Sequence, residues 1–274
     1  RVALALGTIA FVTLVNLRGI RESGRVFALP TYFFIVTLFV LIVAGLVRLY
    51  AGGAPVNPTT ASQIPITTDL TVLLILRAFA SGCTALTGVE AISNGVPVFK
   101  PPESINAGKT LLWMAGILAS MFLGITFLAY SYQLAPVHGE TLISQLARIT
   151  FGTGPLYYAV QASTALILLL AANTSYADFP RLSMWMARDR FLPRPLANLG
   201  DRLVYANGIL LLGALASILI IVFRADTHGL IPLYAVGVFT AFTISQSGMV
   251  RHWLKLRTRG WQRSAAINGL GALV

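Results

Sequence analysis

Apolar stretches alternate with short polar links from one end of this chain to the other. Seven of them approach the roughly 20 residues that a helix needs to cross a bilayer. They fall at about 2–17, 30–51, 71–98, 110–134, 155–177, 207–223 and 228–250. Residues 264–274 open a further apolar stretch. The third run is the longest and predicts a broken helix, because Gly82, Gly88, Gly95 and Pro97 weaken or stop helical structure. The seventh is polar for a span, with Thr240, Thr243, Ser245, Gln246 and Ser247. The pattern predicts an all-α membrane protein in which residues 1–274 form one transmembrane domain.

The links add an orientation. Arg18, Arg21 and Arg25 follow the first span; Lys100 and Lys109 follow the third. Arg181, Arg188, Arg190, Arg194 and Arg202 follow the fifth, and Arg251, Lys255, Arg257, Arg259 and Arg263 follow the seventh. These make fifteen of the twenty basic residues, whereas the opposite links hold Arg48, Arg148 and Arg224. Basic residues stay cytoplasmic, so the chain is expected to start outside and leave the seventh span inside. Residues 52–69, rich in glycine and proline, read as an extracellular turn-rich loop. A short extracellular helix is expected near 140–150. Residues 178–206 mix Trp185, Met186, Phe191 and Leu192 with arginines and are expected to lie along the membrane surface.

Composition agrees. Of the 274 residues, 56% are hydrophobic and 11% charged, against about 25% charged in soluble domains. The net charge of +11 is explained by topology rather than by nucleic acid. Cys83 is the single cysteine, which excludes an intrachain disulfide. The chain opens on Arg1 with no signal-peptide layout and is expected to be a fragment truncated at both ends.

Candidate chemistry concentrates in the third span. Glu90 is an acid where lipid tolerates none, with Thr84, Thr87, Ser93 and Asn94 beside it. Irregular backbone at membrane depth is tolerated where it lines a cavity or pathway. Thr87 and Glu90 share a helical face if the helix continues; if it breaks at Gly88, the Thr87 carbonyl is freed beside the carboxylate. Oxygen-only ligation suits potassium, sodium or a proton, not zinc or copper. The competing reading is a structural glutamate bonded to neighbouring helices, and the cost of intramembrane acids favours a functional one. Ser93 and Asn94 supply ligands or satisfy interrupted backbone. Arg77 snorkels to the interface or gates the outer end. Asn173, Thr174, Ser175, Tyr176 and Asp178 close the fifth span and line an inner pathway, or their hydroxyls bond their own helix while Asp178 pairs with Arg181. No nucleophile elbow, phosphate loop or paired catalytic carboxylate is present, so an enzyme is not expected.

The stretches Asn16-Leu-Arg-Gly-Ile-Arg-Glu-Ser-Gly24, Thr87-Gly-Val-Glu-Ala-Ile-Ser-Asn-Gly95, Lys100-Pro-Pro-Glu-Ser-Ile-Asn-Ala-Gly-Lys109 and Asn173-Thr-Ser-Tyr-Ala-Asp178 resemble the amino acid–polyamine–organocation (APC) superfamily. Within it the likeness is strongest to KUP-type potassium/proton symporters of the KimA kind. The resemblance implies the LeuT-like five-plus-five inverted-repeat fold, with the seven spans as family helices four to ten. It implies a potassium ion held by Thr87 and Glu90, with Gly88, Ser93 and Asn94 at the break, and the remaining ligands on helices one and three. It also implies a coupling proton and no other cofactor.

The expected function is therefore proton-coupled potassium uptake by alternating access across the plasma (inner) membrane. The partners would be the lipid bilayer and a small solute or ion, with no nucleic acid; a homo-oligomer of the full-length protein is compatible with this. An amino acid permease on the same scaffold is the alternative, although Glu90 would repel a substrate carboxylate unless protonated. A seven-span receptor would fit the span count and the outside N-terminus, but the missing start, the lone cysteine and the apolar run opening at the C-terminus stand against it.

Overall fold

A computed structural model describes residues 1–19, 24–52, 71–83, 92, 95–137, 139–200, 205–258 and 260–273. Among these the chain is nearly all helical. The extended pairing in them is an isolated bridge between Val137 and Glu140. The helices are α1 (Val2–Leu17), α2 (Gly24–Gly52), α3 (Val72–Cys83), α4 (Glu103–Ser131), α5 (Leu142–Phe151), α6 (Pro155–Arg188), α7 (Ala206–Val222), α8 (Thr227–Leu256) and α9 (Trp261–Leu273). Short 3-10 turns occupy Val96–Val98 and Arg194–Ala197. Four stretches are long and apolar enough to cross a membrane: Phe27–Gly52, Glu103–Ser131, Pro155–Arg188 and Gly229–Leu256. Val2–Leu17, Val72–Gly82 and Ala206–Val222 are shorter apolar helices. Large apolar side chains such as Leu4, Leu73, Trp113 and Leu168 stand exposed along them, as helices facing lipid do.

The chain divides into two compact units. The larger comprises residues 3–67 and 94–218, the smaller residues 1–2, 68–93 and 219–274. In the larger unit the core is Leu38, Leu41 and Ile42 of α2, Met121 and Leu128 of α4, Leu146 and Ala147 of α5, and Val160 of α6, with Tyr132. Glycines set the α2–α4 distance. A Cβ at Gly45 would stand 2.8 Å from Leu128 Cδ1, and one at Gly124 would stand 2.9 Å from Ile42 Cγ2. Lipid tails are as apolar as these side chains, so close packing over small residues rather than hydrophobic expulsion holds the helices together. The Tyr132 hydroxyl, buried at the end of α4, donates to the Gly45 carbonyl at 3.0 Å.

Helix α5 is fastened by polar groups. Thr141 caps it, accepting from the Ser144 amide at 3.2 Å. Glu140 pairs with Arg148 at 2.6 Å. The Arg48 guanidinium of α2 reaches the terminal carbonyls of Ile149 and Thr150, which have no partner inside the helix and lie at the negative end of its dipole. Ser144 gathers Glu140, Tyr157 and Gln161 around its hydroxyl.

One expectation is corrected. Residues 178–188, expected to turn along the membrane surface, instead continue α6 without a break. Pro180 lies inside the helix, where it lacks an N–H and would ordinarily weaken it. Here it is buried, α7 presents Gly208 to it, and Ser183 donates to its carbonyl at 2.9 Å.

The smaller unit contains α3, α8 and α9. Helices α8 and α9 form a hairpin in which Gly271 faces Gln246 and Gly269 faces Val250. The connection passes through Arg257 and Gly260, both at positive φ.

Candidate functional site

Thr87, Gly88, Glu90, Ser93 and Asn94, the residues expected to hold an ion, lie outside the described residues. Helix α3 leads toward them, with Arg77 exposed on it. Among the described residues no group of three or more His, Cys, Asp or Glu side chains is placed to hold a metal.

The polar residues at the end of the fifth apolar run are resolved one by one. Asn173 of α6 is half-buried, and its Oδ1 accepts from Asn16 Nδ2 of α1 at 2.7 Å. The second proton of that amide goes to the Val12 carbonyl at 2.9 Å. One turn away, Thr13 and buried Tyr176 share a hydrogen bond of 2.8 Å between their hydroxyls. The pairs 13–176 and 16–173 step in opposite directions, so α1 and α6 run antiparallel here. Gly213 of α7 closes on the first pair, since a Cβ there would stand 2.8 Å from Thr13 Oγ1. Val12, Tyr176 and Ile209 form a small core behind it. Thr174 and Ser175 face outward, and the Thr174 hydroxyl donates to the Leu170 carbonyl of its own helix at 3.1 Å. Asp178 is half-buried on α6. The structure thus brings Asn173 and Tyr176 together with Thr13 and Asn16, and leaves Thr174 and Ser175 apart.

Thr13 was not among the sequence-derived candidates, and Asn16 entered as part of a motif. Both are polar positions in an otherwise apolar run, three residues apart and so on one helical face, and that spacing was the signal available. Interhelical hydrogen bonds in membranes contribute about 0.6–2 kcal/mol. Asn16→Leu and Asn173→Leu are therefore each expected to destabilise the full-length protein. A double-mutant cycle by denaturant titration in detergent should give a coupling of about 0.5–2 kcal/mol. Strict additivity would show that the pair contributes nothing.

Next to these pairs lies a cavity of about 220 Å³ lined by Phe11, Val15, Phe27, Pro30, Leu170 and other apolar residues, with Asn173 as its polar member. Such a lining cannot replace the hydration shell of an ion. A second cavity, about 480 Å³, lies between α3 and α8 against Ala80, Phe239, Thr240, Thr243 and Ile244. The Thr240 hydroxyl is already committed to the Val236 carbonyl at 2.7 Å.

Apolar helices packed over glycines, with paired polar side chains inside them, define an integral membrane protein of the helical class. A family described as "Amino acid permease" matches residues 1–274, and the chain belongs to it. The potassium transporter KimA of Bacillus subtilis (strain 168) is 47% identical over 275 residues, a match covering all of this chain and 45% of the relative. The chain therefore spans a little under half the length of that relative.

Proposed function

We propose that the full-length protein is a secondary active transporter that takes up potassium together with protons by alternating access. The observation that carries this is the 47% identity, over the whole of this chain and 45% of the relative, with a potassium transporter. The stretch Thr87-Gly-Val-Glu-Ala-Ile-Ser-Asn-Gly95 supports it, because an intramembrane carboxylate among oxygen donors is chemistry suited to a hard, weakly bound cation. In this reading the chain supplies family helices four to ten of a five-plus-five inverted repeat. Its N-terminal end lies outside and its basic links are cytoplasmic. Glu90 and Thr87 hold the ion near the bilayer midplane, and the missing ligands come from helices one and three. Competition between a proton and the cation for the Glu90 carboxylate couples the two.

The second reading is amino acid transport on the same scaffold, favoured by the family's description. The two separate in a bacterium lacking its own potassium uptake systems. Expression of the full-length protein is expected to restore growth at limiting potassium and to leave labelled amino acid uptake unchanged. Good expression without rescue, accompanied by amino acid uptake, would overturn the potassium reading.

A further inference from the structure

The turn between α8 and α9 carries the most one-sided charge in the molecule. From Arg251 to Arg263 the sequence holds five basic residues, and from Thr227 to Val274 it holds no acidic one. The other basic links all contain acids: Glu22 in the first, Glu103 in the second, Asp189 and Asp201 in the third. Keeping a link cytoplasmic requires lysine and arginine but places no demand on acids, so orientation alone does not account for their absence here.

The structure concentrates this charge. Arg251 and Lys255 are four apart on α8, exposed, and so share one face. Like charges at that spacing destabilise a helix unless an anion lies between them. Arg257 turns the chain at φ 45°, its Nε donates to the Leu254 carbonyl at 3.3 Å, and its guanidinium lies 5.8 Å from the centre of the Trp261 ring. That arrangement fixes the cation beside an indole. Arg263, exposed, occupies the first turn of α9. A cation there opposes the positive end of the helix dipole, and both then favour an anion. Trp261 stands just past the end of a stretch long and apolar enough to cross a membrane that closes at Leu256, the position where indoles mark the headgroup level.

We propose that this turn is a docking site for the headgroups of anionic phospholipids, with Arg251, Lys255, Arg257 and Arg263 as the phosphate-facing cations and Trp261 as the interfacial anchor. Charge complementarity argues for that occupant. Four cations that have no ion pair among the described residues, at the end of an apolar stretch of bilayer length, suit the anionic headgroup plane of the bilayer. The proposal does not depend on which solute the protein carries.

The test is retention of lipid by the full-length protein, purified in neutral detergent and presented with equimolar phosphatidylglycerol and phosphatidylethanolamine, read by native mass spectrometry. Wild type is expected to retain phosphatidylglycerol at least fivefold over phosphatidylethanolamine. The combined variant Arg251→Gln/Lys255→Gln/Arg257→Gln/Arg263→Gln is expected to lose that preference. Arg188→Gln/Arg190→Gln/Arg194→Gln, which removes three charges elsewhere, should keep it. If the combined variant does not fold, salt decides on wild type alone, because raising it toward 1 M shortens the screening length to about 3 Å and should bring the ratio to parity. Equal retention by wild type, a preference that survives in the folded combined variant, or one that survives salt, would each overturn the proposal.

Discussion

Full-length protein carrying Glu90→Gln is expected to express normally and to lose potassium-dependent growth rescue. Glutamine keeps the size and one of the two oxygens of glutamate but not the charge. If Glu90 neutralises a cation stripped of water, removing that charge leaves the ion in a low-dielectric site without its counter-charge. Truncating one partner of a buried charge pair costs about 2–5 kcal/mol, a loss of roughly 30-fold or more in apparent affinity. Rubidium or potassium uptake measured against external concentration reads this directly. Thr87→Ala removes one oxygen and no charge, so a shift of about fivefold to tenfold, near 1 kcal/mol, is expected there. A Glu90→Gln protein that transports like wild type would make Glu90 a structural acid bonded to its neighbours. The ion would then have to be held by other residues.

How much of this was legible without coordinates differs from element to element. Bilayer-length hydropathy locates helices well, because a segment in lipid must satisfy its own backbone and can do so only as a helix. Accordingly α1 occupies Val2–Leu17 and α7 Ala206–Val222, close to the apolar runs. The C-terminal part of α6 was not legible. Asp178, Pro180 and Arg181 are residues that usually announce a helix end and an interface. What packs against Pro180 is a glycine on another helix, 28 positions along the chain, and local pattern contains no trace of that contact. The candidate site divides in the same way. That Glu90 is costly is visible from its neighbours in sequence. That Asn173 is held by Asn16, while adjacent Thr174 bonds its own helix, depends on which face α1 presents, and only packing decides that.

Replacing Gly208 with valine is expected to disturb folding more than the same change at Gly45 or Gly124. At Gly45 and Gly124 the obstructing atoms are the ends of Leu128 and Ile42, side chains that can rotate aside. At Gly208 a Cβ would stand 2.9 Å from Pro180 Cβ and 3.0 Å from its Cα, with Ser183 Oγ at 3.2 Å. The pyrrolidine ring cannot rotate away, and the Cα belongs to the backbone of α6. Relief requires α7 to move off α6, which would also pull Gly213 from the Thr13–Tyr176 pair. Overpacking a well-filled site costs about 1–3 kcal/mol, and a bulky residue against fixed backbone belongs at the upper end. Alanine in place of this helical glycine would regain about 1 kcal/mol of propensity, so Gly208→Ala should be milder than Gly208→Val. The measurement is the yield and thermal midpoint of monodisperse full-length protein in detergent. The expected order is wild type, then Gly208→Ala, then Gly208→Val, with Gly116→Ala, where nothing lies within 4 Å of the added Cβ and the propensity gain stands unopposed, at or above wild type. If Gly208→Val matched wild type, the close approach of α7 to α6 at Pro180 would not be the contact that carries α6 unbroken to Arg188.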